Sequence, residues 1–233
     1  RIKPAKYVFV GGSKSSLSSL LVGKKSKIIK IHNFDFEYYN LCKNLKKVLN
    51  KKYILFIDQN LPFHDDYNFL NLKKEITSDI YYDELNSFFD MIEEKYSLEV
   101  IIALHPKSNR STSLSYFKNR QVISSKTNLL VRDAEFIISH WSSAINLSVL
   151  FNKKFMLIAT NQILKSENSV FIKFLSKTFK KKITNISVKP IILDESLLLI
   201  NKDCYEKYNY NYIKENKNND LFWVIALEAM DQI

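Results

Sequence analysis

Leu98-Glu-Val-Ile-Ile-Ala-Leu104, Thr127-Asn-Leu-Leu-Val-Arg-Asp133, Glu135-Phe-Ile-Ile138, Ser142-Ser-Ala-Ile-Asn-Leu-Ser-Val-Leu-Phe151 and Phe155-Met-Leu-Ile158 follow one another in mid-chain. The first, third and fifth are short apolar runs, as strands buried on both faces require. The second and fourth carry helical spacing. Strand and helix alternation of this kind implies βαβ units and a parallel sheet. The fold class read from it is α/β, a Rossmann-like parallel sheet with flanking helices.

The pattern extends outward. Tyr7 to Val10, Lys27 to Ile31 and Tyr53 to Ile57 read as strands. Phe34 to Asn50, Asp83 to Tyr96, Val170 to Phe179 and Asp220 to Ala229 read as helices. Ile191 to Leu193 is expected to form a last strand, and residues 59–80 a long connection of the functional or mobile kind. The basic helix ending near Lys51 suggests a boundary, with residues 1–50 closing one domain and 51–233 forming another.

At 233 residues with a hydrophobic fraction of 46%, the chain can bury a large core. No apolar run reaches the roughly 18 residues of a membrane span. Arg1-Ile2-Lys3-Pro4 opens the chain without an initiator Met or a following apolar stretch, so a fragment or a trimmed chain is expected, and no signal peptide. Cys42 and Cys204 have no metal or disulfide spacing, which suits a reducing cytoplasm.

The formal net charge of +11 favours anionic partners. Many lysines, above all Lys43, Lys46, Lys47, Lys51, Lys52 and Lys180 to Lys182, read better as solubilising surface. All three glycines precede residue 24, so no Gly-rich phosphate loop follows that point. Thirteen tyrosines and the charge come with no RNP or helix-turn-helix pattern, and nucleic acid is not an expected partner. With no HExxH, DxD or paired Cys/His spacing, no metal or other cofactor is expected. No GxSxG elbow is present either.

Chemistry-bearing residues gather where apolar runs end. His105-Pro106-Lys107-Ser108 follows one run, with Arg110 close behind. Its imidazole and donors suit phosphate or carboxylate, and a plain solvated turn is the alternative. His140 ends another run and Ser142-Ser143 follows it. Ser143 reads as an N-cap, and a capped helix start also binds phosphate. His140 reads either as a ligand group or as a buried histidine satisfied by backbone. Lys126-Thr127 precedes a short helix and is a second anion site of the same type. Asp58-Gln59 ends the strand at 53–57 and reads as a turn cap or a cleft-facing pair, with His64 in the connection beyond. His32 and Asp35 flank a strand-to-helix junction. They could form a general-base pair, or Asp35 could simply favour the helix start.

The run Tyr53-Ile-Leu-Phe-Ile-Asp-Gln-Asn-Leu-Pro-Phe-His64, then His105-Pro-Lys-Ser108, Ser125-Lys-Thr-Asn-Leu-Leu-Val131 and Ile138-Ser-His-Trp-Ser-Ser-Ala-Ile145, resembles bacterial surface-polysaccharide glycosyltransferases of GT-B type. It looks most like capsule and lipopolysaccharide enzymes related to bacterial sialyl- and Kdo-transferases, over roughly residues 5 to 165. The resemblance implies a GT-B-like C-terminal nucleotide-sugar domain plus a remnant of the N-terminal, acceptor-side domain. It implies that His105 meets the donor phosphate or helps the leaving group, and that Ser142 and Ser143 hold phosphate oxygens. The implied substrates are a nucleotide-sugar donor, such as a CMP-linked acidic sugar, and a glycan or lipid-linked glycan acceptor. The implied setting is the cytoplasm, with peripheral contact at an anionic membrane face. The family's acidic pair followed by Gly is absent, since Asp65-Asp66 is followed by Tyr67. Two rival readings are a non-catalytic nucleotide- or polyanion-binding module and a polyol-phosphate transferase of teichoic-acid type.

Overall fold

A computed structural model describes residues 3–14, 19, 21–64, 74–108, 110–215 and 219–231. Asp65, Asp66 and Tyr67, and the side chain of Arg110, lie outside the described residues. In chain order the elements are β1 (Tyr7–Gly11), β2 (Lys27–Ile31), α1 (Phe34–Cys42), β3 (Ile54–Ile57), α2 (Ser78–Tyr96), β4 (Val100–Ala103), α3 (Arg110–Tyr116), β5 (Val122–Ile123), α4 (Thr127–Asp133), β6 (Phe136–Ser139), α5 (Ile145–Leu150), β7 (Phe155–Ala159), α6 (Asn161–Lys165), α7 (Ser169–Phe179), β8 (Ile183–Asn185), α8 (Lys202–Tyr208) and α9 (Phe222–Asp231). Short 3-10 turns cover Leu61–Phe63 and Glu195–Leu198, and a π-turn covers Asn209–Ile213.

Residues divide into two compact units, Arg1–Asn44 with Lys202–Ile233, and Leu45–Asn201. The sequence reading draws its boundary at residue 50 and keeps 202–233 with the larger part. In the structure those last residues join the first unit, and there is a physical reason. β2 alternates, with Ile29 and Ile31 buried, and Phe222, Ile225 and Ala226 of α9 cover them. Two paired strands alone cannot bury such a face.

In the first unit β1 and β2 pair in parallel. Gly12 follows β1 at φ 77°, and a side chain there would strike the Asn211 carbonyl. Gly11 is held equally close, since an added Cβ would lie 2.7 Å from Asn33 N.

The second unit carries a six-stranded sheet in the order β5-β4-β3-β6-β7-β8, with every pair parallel. Numbered within the unit, that order is 3-2-1-4-5-6. This is the Rossmann-like, doubly wound arrangement, and it reverses direction between β3 and β6. β3, β4, β6 and β7 are buried at every residue, which is why they read as unbroken apolar runs. α2 turns Tyr81, Leu85, Phe88, Phe89 and Ile92 into the core at helical spacing.

Several expectations need correcting. The helix from Phe34 stops at Cys42, not Asn50, because the lysine-rich stretch beyond it has no apolar face to bury. Ile191 to Leu193 forms no strand, and the last strand is β8 at Ile183–Asn185. Lys181, expected on the surface, is buried. Its Nζ donates to the Leu197 and Leu199 carbonyls at 3.0 and 2.8 Å and lies 4.9 Å from the Phe155 ring centroid. β5 is too short for any periodicity, and α3 is built from Ser and Thr with weak helix propensity.

Cys42 and Cys204 are buried thiols, not joined in a disulfide. No helix among the described residues is long and apolar enough to cross a membrane.

Candidate functional site

In open parallel sheets ligands sit beyond the strand carboxyl ends, where strand order reverses. Here that place lies between β3 and β6. Asp58 is the first residue after β3 and is 3% exposed. Its Oδ1 accepts the Asn60 N–H at 2.9 Å. Its Oδ2 accepts the His105 N–H at 3.3 Å and the Ser108 hydroxyl at 3.2 Å. Burial pushes the Asp58 carboxyl above the usual carboxylate range, and these bonds with the nearby His105 ring pull it part of the way back. Asp58 is thus a clamp beneath the His105 loop. Pro106 and Lys107 form the exposed tip of that loop, closed by the Ser108 N–H donating to the His105 carbonyl at 2.9 Å. The Lys107 N–H donates to His105 Nδ1 at 3.3 Å, so the neutral ring carries its proton on Nε2.

Gln59 links the two sides of the reversal. Its Oε1 accepts the Trp141 N–H at 3.0 Å, fixing the turn after β6. Ser142 Oγ accepts the Ala144 N–H at 3.2 Å. Ser143 is exposed and is not the helix cap; Ala144 holds that position, and α5 begins at Ile145. α5 is only six residues long, so Ser142 and the turn, more than a helix dipole, define this edge.

His140 lies in the core and not on the exposed loops at that edge. It is wholly buried, with Nδ1–H donating to the Ile158 carbonyl at 2.7 Å and Nε2 accepting the Tyr81 hydroxyl at 2.9 Å. Burial drives its pKa down to about 4, against the pull of the Ile158 bond. It is a neutral core histidine that ties β6, β7 and α2 together. The neighbouring Ser139 hydroxyl is buried without a hydrogen-bond partner.

The other expected positions lie apart from this cluster. Lys126 is exposed at the cap of the seven-residue α4 and gives it no side-chain bond, while Thr127 starts the helix half-buried. His32 and Asp35 are in the first unit. His32 is fully buried, with Nδ1 3.2 Å from the Asn33 carbonyl and Nε2 3.0 Å from the Asp220 carbonyl. Its acidic neighbour is Glu37, at 3.2 Å, so the expected pairing with Asp35 is replaced by one with Glu37. Among the described residues no group of three or more His, Cys, Asp and Glu side chains is arranged to hold a metal.

Two participants escape the sequence reading. Tyr81 is missed because Asp79-Ile-Tyr-Tyr82 resembles a polar lead-in, yet it sits one turn before Leu85 on the buried face. His64 closes the run from Tyr53 and lies in the long connection without a role of its own, yet its ring centroid lies 5.7 Å from that of His105. No family model, curated protein or solved structure matches the chain.

Proposed function

We propose that the second unit is the nucleotide-sugar-binding half of a glycosyltransferase of GT-B type acting on bacterial surface glycan. The observation carrying this reading is the gathering of the His105 loop and the Ser142 turn at the strand reversal, each tied to the end of β3 by Asp58 and Gln59. The donor's phosphate would lie over this edge. His105 Nε2–H would donate to the departing phosphate oxygen, and the buried Asp58 carboxylate favours the imidazolium that meets this charge. Lys107 and Ser142 would supply further donors. The acceptor would be a glycan or lipid-linked glycan at the cytoplasmic membrane face.

One observation favours a second reading. His32, the candidate base, is closed in by its own contacts. A non-catalytic nucleotide-binding module needs no base.

Incubation with CMP-, UDP- and GDP-sugars, following release of free nucleotide, separates the two. The enzyme reading expects turnover of one donor class and a rate lowered about a hundredfold in His105→Ala. Full activity in His105→Ala would overturn it.

A further inference from the structure

The two oxygens of Asp58 each hold one arm of chain. Oδ1 fixes Asn60, which takes a left-handed conformation at φ 52° and starts the Leu61–Phe63 turn. Leu61 and Pro62 are buried, and Phe63 packs on Tyr116 and Tyr82 with centroids 5.4 and 6.5 Å away. His64 follows this anchored turn directly. Oδ2 fixes the other arm, at His105 and Ser108. One carboxylate therefore anchors the backbone of both arms, and the two imidazole rings they carry stand 5.7 Å apart at 52°. Both side chains are half-buried, at the rim where the strands end.

We infer that His64 and His105 form a two-imidazole clamp for a phosphate or diphosphate group. Two imidazoles this close repel when both are charged. An anion seated beside the pair, bridged by one ring N–H from each, offsets that repulsion. His64, which closes the run from Tyr53 and carries no role in the sequence analysis, would then be a binding residue. The inference rests on the donor-site reading and names the part of the ligand that the pair holds.

Calorimetric titration with CMP, CDP, UDP, GDP and inorganic pyrophosphate tests it on the wild type, His64→Gln, His64→Asn and His105→Gln. Melting curves confirm that each variant folds, and either His64 variant suffices. The clamp predicts at least about tenfold weaker binding of the preferred nucleotide and of pyrophosphate when His64 is replaced. Weakening for the nucleotide alone would mean that His64 touches the nucleoside, and would overturn the assignment. Unchanged binding in both His64 variants, with loss in His105→Gln, would overturn the clamp and leave the donor site standing. A wild type that binds none of these probes would overturn both.

Discussion

Asp58 Oδ2 accepts the backbone N–H of His105 at 3.3 Å, so the end of β3 holds the loop after β4 from below. The same carboxylate takes Ser108 and Asn60. A loop with an exposed Pro-Lys tip is thereby given a fixed base, as binding groups on loops require.

Replacing Asp58 with Ala strands three donors, while relieving the cost of a buried carboxylate. The net expectation is a loss of about 2 kcal/mol, read by urea unfolding. Nucleotide affinity should fall with it. Unchanged stability and affinity would show that the clamp is idle.

Tyr81→Phe removes the hydroxyl that donates to His140 Nε2 and leaves a buried acceptor bare. The expected loss is about 1–3 kcal/mol. Amide exchange should quicken around β6 and β7, since His140 also binds the Ile158 carbonyl.

His140 sets an acid limit on stability. Its folded pKa of about 4 lies below the ordinary 6.5, so between those values the unfolded chain binds the extra proton. This contribution is fully present above pH 6.5 and is lost as the pH falls toward 4, about 3 kcal/mol in all. Asp58, shifted upward, works the other way, favouring the fold at low pH and losing that advantage as the pH rises through its folded value. Urea midpoints measured from pH 7 to 4 should fall, and His140→Gln should flatten the slope in this window.

Gly12→Ala should destabilise the first unit selectively. The position has φ 77° and faces the Asn211 carbonyl, so the chain must move to admit a methyl group. A cost above about 1 kcal/mol is expected. Amide exchange should rise in β1 and β2 while β3 to β8 keep their protection.

The parallel sheet was legible because its central strands bury both faces and so stand out as apolar runs. The polar edge at the strand carboxyl ends was legible because those runs end in polar residues. Sequence could not separate His105 from His140, as each follows an apolar stretch. The difference is one position. His140 is the first residue after β6 and points into the core, whereas His105 is the second after β4 and lies on the loop. The capping role given to Ser143 failed because the turn takes one more residue, Ala144, before α5 begins. Tertiary partners such as Tyr81 for His140, 59 positions away, leave no local signal. The return of residues 202–233 to the first unit leaves none either.

The central claim is that a nucleotide binds where the His105 loop and the Ser142 turn meet the end of β3. Calorimetric titration with CMP, CDP, UDP and GDP, beside a Ser142→Ala/Ser143→Ala variant, tests it most directly. The account predicts selective binding of one nucleotide by the wild type and its loss in the variant, with CMP pointing to an acidic sugar. Binding that the double variant leaves untouched, or no binding of any nucleotide, would contradict it.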